Sequence, residues 1–130
     1  AEILGTAQAA FEMTLEYVRA RKQFGRALSD NQIIQHRLVD LYVEQQEARA
    51  LCLATAAEST AERAAALGAR VSEVARNTWG EAIQLHGAIG MTEEYALGEY
   101  VRRLALAADL YGSSASHLED LAHLTLDTTA

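Results

Sequence analysis

Apolar residues recur at spacings of three and four from the start of the chain: Leu4, Ala7, Phe11, Leu15 and Val18 form one stripe. That period belongs to an amphipathic α-helix and predicts a first helix from about residue 2 to about residue 22. The stripe stops at FGRALSD. Ser29 followed by Gln32 reads as a capping box, so a second helix opens there and carries Ile33, Ile34, Leu38, Leu41, Ala48 and Leu51 to about Ala57. Ser59 with Glu62 is a second capping box. The helix behind it holds Leu67, Val71, Val74, Thr78, Ala82 and Leu85, then meets Gly87 and Gly90. Thr92, with Glu93 and Glu94 in the first turn, predicts a fourth helix, because carboxylates favour the positive helix N-terminus. It reaches about Ala107, and after LYGSS a fifth helix spans about 114–125. Three long helices and two shorter C-terminal ones, joined by short connections, predict an all-α antiparallel bundle in which residues 1–130 are one domain.

Composition agrees with that prediction and narrows function. There is no proline, and half of the residues are hydrophobic. A formal net charge of −7 argues against general nucleic-acid binding, which needs phosphate-neutralising charge spread over a face. Cys52, the one cysteine, excludes an internal disulfide framework and reads as a small core filler. No apolar run approaches the ~20 residues of a membrane span, so a cytoplasmic protein without membrane insertion is expected. The opening AEILGTAQAAF is already in helical rhythm and has no methionine, as expected of a domain cut from a longer chain.

Two segments carry candidate chemistry. In RKQFGR, the basic groups Arg21, Lys22 and Arg26, with Arg19 just before them, bracket Phe24 and Gly25. Cations complement the negative end of a helix whatever the function. An aromatic residue in a basic turn is poorly placed for a core, however. It can cover a flat ring while arginine meets phosphate oxygens through its planar fork of donors. The start of the next helix, near Ser29, offers free backbone N–H groups beside it, so the segment reads either as an ordinary solvated helix end or as a place that holds a phosphate-bearing ligand. In AIQLHGAIG, Gly87 fits a helix C-cap and His86 the negative helix end, whereas Gln84 is an amide without an evident structural task. The histidines predict no metal site: His117 and His123 are six apart on different helix faces, and His36 and His86 stand alone. Tyr42 and Trp79 read as packing anchors.

Together, RKQFGRALSDNQIIQHRLVDLYVEQQEAR and EAIQLHGAIGMTEEYALGEYVRR closely resemble the C-terminal helical domain of acyl-CoA dehydrogenases. The matching residues are Arg21, Phe24, Gly25, Gln32, Gln35, Leu38, Asp40, Gln84, Gly87, Gly90, Glu94, Tyr95 and Arg102. The resemblance covers essentially the whole chain and is most like the small-subunit type of two-component members, to which LYGSSASHL is similar. It implies an FAD-dependent α,β-dehydrogenation of an acyl-CoA thioester by the parent protein, as in fatty acid β-oxidation. It also implies a homo- or hetero-oligomer, dimeric or tetrameric. Arg21 is then expected to pair with the diphosphate of a neighbouring subunit's FAD, and Phe24 to pack by its adenosine part. Gln32, Gln84 and Gly87 complete that cofactor-binding set.

The departures from the family pattern are specific. Ala88 replaces the second glycine of Q-x-x-G-G, and Asn31 stands where an aromatic is common. Many members carry a catalytic glutamate in Y-E-G-T before the last helix; here Tyr111 occupies that position. A phenol of ordinary pKa, about 10, is only about 0.1% ionised at pH 7, a handicap of roughly 4 kcal/mol for a base. No catalytic residue is therefore assigned within the chain. Other members place the glutamate just ahead of this domain's first helix, a position that falls before Ala1. The fragment alone is expected to be inactive. The alternatives are a non-catalytic subunit of a heteromeric acyl-CoA dehydrogenase and a ligand-free helical oligomerisation domain.

Overall fold

The computed structural model describes residues 1–87 and 96–127. Among the described residues five helices form a bundle centred on α3: α1 (Glu2–Ala20), α2 (Gln32–Ala57), α3 (Ala61–His86), α4 (Leu97–Leu110) and α5 (Ser114–Asp127). The all-α bundle with three long and two shorter helices stands as the sequence predicts. α3 packs against each of the other four, and α1 also packs on α2 and α4. Its buried residues explain why it can be central: Ala65, Ala69, Ser72, Ala75 and Ala82 are small, so neighbouring helices approach closely, while Val71 and Val74 fill the gaps. Leu97 and Leu104 of α4 are completely buried against this spine, each contributing roughly 2–3 kcal/mol of apolar burial. Among the described residues, no helix is long and apolar enough to cross a membrane.

The core face of α1 is rotated from the predicted stripe. Ala7, Ala10, Thr14 and Val18 are buried, whereas Phe11 and Leu15 are half-buried and line a groove against α2. Small residues win the inner face because α3 lies close to α1. Along α2, Leu38, Leu41 and Ala48 are buried as expected, but Ile33 is largely exposed. Gln45 takes a core position instead, donating to Ala7 O and Thr78 Oγ1 at 3.3 Å each and so tying three helices together. Cys52 is only half-buried, at a surface depression between α1 and α2, and not the core filler expected. Trp79 packs against the core, while Tyr42 is half exposed with its ring 6.2 Å from that of Phe11.

The helix starts move by one or two residues from the predicted caps. Asn31, not Ser29, caps α2: its Oδ1 accepts from Ile33 N–H at 3.1 Å. Ser29 lies in a 3₁₀ turn over Leu28–Asp30, where its carbonyl accepts from Gln35 Nε2 at 2.7 Å. Thr60, not Ser59, caps α3, its Oγ1 accepting from Arg63 N–H at 3.2 Å. Each cap has the extended backbone that lets a short oxygen side chain turn back on the helix. The predicted start of the fourth helix at Thr92, Glu93 and Glu94 lies outside the described residues, as do Ala88, Gly90 and Tyr95.

Candidate functional site

The basic turn is a hairpin rather than the fraying end of a helix. α1 stops at Ala20, and Arg21 adopts extended geometry, its N–H still donating to Tyr17 O at 2.8 Å. Strands β1 (Lys22–Gln23) and β2 (Arg26–Ala27) then pair antiparallel, Lys22 with Ala27 and Gln23 with Arg26. Phe24 and Gly25 form the two-residue loop with φ 52° and 80°. Two successive positive φ values match the type I′ turn, whose twist suits a tight hairpin. Leu28 N–H donates to Arg21 O at 2.9 Å, and Ala27 N–H to Asp30 Oδ2 at 3.1 Å, closing the base of the loop. The macrodipole therefore accounts for Arg19, in the last turn of α1, but Arg21, Lys22 and Arg26 lie beyond the helix.

Phe24 is fully exposed at the tip. A bulky residue held at positive φ is strained by about 1–2 kcal/mol, and here no burial of its ring offsets that strain within the domain.

Beside the hairpin, the end of α1 meets the end of α3. Tyr17, Arg21, Gln23 and Leu28 on one side and Gln84, Leu85, His86 and Gly87 on the other line a cleft of about 360 Å³. Among the described residues the lining holds an arginine and two amides and no carboxylate, a donor set that favours an anion. Gly87 ends α3 at φ 61°, ψ −144°, a region that essentially only glycine occupies. A Cβ there would meet nothing within 4 Å, so the need for glycine is conformational rather than spatial. Of the predicted site residues, Arg21, Gln84 and Gly87 come together in this cleft. Phe24 stands at the hairpin tip and Gln32, exposed, in the first turn of α2; neither lines the cleft.

His86 differs from its predicted role at the helix end. It is buried, its Nδ1 donates to Ala82 O at 2.9 Å, and its ring stacks on Tyr17 with centroids 4.2 Å apart. Burial pushes its pKa below the usual imidazole value, against a smaller raising effect of the Ala82 carbonyl, so the neutral ring is favoured over a dipole-complementing cation. Sequence reasoning missed Tyr17. The signal was its position one helical turn before Arg21, on the same face of α1.

At the other end of α4, the turn bearing Tyr111 is held firmly while the tyrosine ring stays largely exposed. His117 Nε2 lies 2.8 Å from Tyr111 O, and Ser72 Oγ donates to Gly112 O at 3.0 Å. Ser113 caps α5, its Oγ accepting from Ser116 N–H at 3.1 Å. No group of three or more His, Cys, Asp or Glu side chains is gathered as for a metal ion among the described residues.

Comparison with known proteins places this architecture. Residues 1–125 match the sequence profile of the acyl-CoA dehydrogenase C-terminal domain. The chain is 36% identical over 121 residues to the acyl-CoA dehydrogenase IpdE2 of Mycobacterium tuberculosis, covering 93% of this chain and 38% of that protein. Its fold superposes on butyryl-CoA dehydrogenase from Megasphaera elsdenii with a TM-score of 0.84 at 29% identity, covering 95% of this chain and 34% of that one. A variant of the Tcur3481–Tcur3483 steroid ACAD gives 0.91 at 26%, covering 98% and 37%. The chain thus spans little more than a third of the length of these relatives. With a profile match along nearly its whole length and an all-α bundle of the same fold, the chain belongs to the acyl-CoA dehydrogenase family and corresponds to its C-terminal helical domain.

Proposed function

We propose that this chain is the C-terminal domain of a longer FAD-dependent acyl-CoA dehydrogenase-like protein and that it completes an FAD site across a subunit interface. The observation that carries the reading is the cleft joining Arg21 to Gln84 and Gly87, whose described lining bears no carboxylate, next to a hairpin whose aromatic tip is fully exposed. In this reading Arg21 pairs with the diphosphate, Gln84 donates through its amide, and Gly87 lets the ligand approach the backbone. Phe24 packs on the adenosine part, and Gln32 completes the cradle from the start of α2. Bound FAD supplies the hydride acceptor for α,β-dehydrogenation of an acyl-CoA thioester. Because Phe24 projects away from the bundle, the ligand it covers is held by another subunit, so flavin site and dimer or tetramer are one requirement.

The test is Arg21→Ala in the full-length parent. Loss of a charge-assisted pair, roughly 1.5–3 kcal/mol, lowers FAD affinity about ten- to a hundredfold. Flavin content unchanged after desalting would count against the assignment.

A second reading is favoured by Tyr111, exposed where many members carry the catalytic glutamate. In it the chain belongs to a non-catalytic subunit of a heteromeric dehydrogenase and serves flavin binding and assembly. The likeness to a steroid ACAD named for two components supports it. Co-expression with a partner that carries the glutamate separates the two readings, since only the second needs the partner for turnover.

A further inference from the structure

We propose that Tyr17 is a positioning residue that sets the width and alignment of the cleft, an inference that rests on the cleft's being the FAD diphosphate site. Tyr17 is bonded to both walls. Its backbone carbonyl accepts from Arg21 N–H at 2.8 Å. Its hydroxyl reaches across to α3 and donates to His86 O at 3.4 Å. Its ring lies stacked on the His86 imidazole, inclined by 24°, and that imidazole is itself tied to Ala82 O.

The consequence follows from peptide geometry. The last carbonyls of a helix have no intrahelical donor, and here the phenol donates to one of them, His86 O. The same planar peptide presents Gly87 N–H, which donates to Ile83 O. Held at both ends, the 86–87 peptide cannot rotate freely, and that fixes the orientation of the Gly87 backbone at the end of α3. Gln84, three residues earlier, shares a helix face with Gly87 and is presented by the same turn. One residue therefore couples the arginine wall, through its backbone carbonyl, to the amide wall, through its phenol ring and hydroxyl, and the spacing between them is built in before any ligand arrives.

The experiment uses the full-length protein stripped of flavin and retitrated with FAD, ADP and riboflavin, for the wild type and for Tyr17→Phe, Tyr17→Leu and Arg21→Ala. Tyr17→Phe removes only the hydroxyl; Tyr17→Leu removes the stack as well. FAD and ADP, which both carry the diphosphate, are expected to bind about three- to tenfold more weakly to Tyr17→Phe. They should lose more to Tyr17→Leu, with riboflavin binding unchanged in both. Equal loss for all three probes would make Tyr17 merely structural and overturn the proposal. So would FAD binding within twofold of wild type in Tyr17→Phe while Arg21→Ala costs tenfold or more, a result that leaves the site assignment standing. If Arg21→Ala also binds FAD and ADP normally, the site assignment itself fails and takes the proposal with it. Should Tyr17→Leu not fold, Tyr17→Phe decides alone.

Discussion

Phe24 joins two observations that pull against each other, a backbone at φ 52° and a ring wholly in solvent. Stability alone favours Asn at this place, because Asn-Gly is the preferred pair of a type I′ turn. Phe24→Asn in the parent protein should hold or raise the thermal midpoint, with up to about 1 kcal/mol of strain relieved, and, under the function proposed above, should reduce flavin retention. An Asn variant that kept all its flavin would remove the aromatic from the site. His86 makes a pH prediction. Burial holds its pKa in the folded state below the ordinary value of about 6.5. The unfolded chain therefore binds more protons as pH falls below that value. The stability linked to this group is fully present above about pH 6.5 and is lost as pH drops through the folded pKa. Denaturant midpoints at pH 7.5 and 5.5 should show a smaller loss in His86→Gln than in the wild type.

At the scale of elements, the α3–α5 joint rests on one close approach. A Cβ added at Gly68 would sit 2.7 Å from the His117 ring, which is pinned by its bond to Tyr111 O. Alanine in a helix interior gains about 1 kcal/mol over glycine, whereas overpacking costs typically 1–3 kcal/mol. With the imidazole unable to swing away freely, the clash wins, so Gly68→Ala should lower stability by about 1–2 kcal/mol. In a His117→Ala background the same change should become stabilising, and chemical denaturation of all four members of the cycle reads the reversal of sign. The α2–α3 seam is held differently. Arg37 meets Glu81 at 2.7 Å, Asn77 donates to Glu44 at 2.8 Å, and Arg70 joins Glu47 of α2 to Glu73 of α3. Such exposed pairs contribute modestly one by one, and they set helix register more than they add stability.

For the whole molecule, the turn at Tyr111 combines a firmly held backbone with a side chain left in solvent. Its backbone is clamped from α3 and α5, yet its ring is exposed and contributes little to the core. Tyr111→Glu should therefore leave the unfolding midpoint nearly unchanged. Under the function proposed above, it should not by itself create a normal dehydrogenase, because the carboxylate would also have to face a substrate α-carbon. Rapid bleaching of the parent's flavin absorbance by ordinary acyl-CoAs in that variant would show that the position alone is sufficient.

Helix number, the length of α2, and the basic and amide-bearing segments were determined by the sequence, because periodicity and capping are local and act within a few residues. Tertiary structure decided the remainder. It turned the small-residue face of α1 inward, since packing on α3 rewards close approach over side-chain size. It seated Gln45 in the core, where two partners from other helices satisfy an amide that looks like a surface residue in isolation. It folded RKQFGR, read along the chain as a basic turn, into a hairpin in which Lys22–Gln23 pairs with Arg26–Ala27 across the positive φ values of Phe24 and Gly25. It also brought the end of α1 to the end of α3, which no pattern along the chain encodes. That juxtaposition of residues 17–28 with 84–87 depends on how two helices cross, and crossing is settled by the sum of many buried contacts rather than by any one residue.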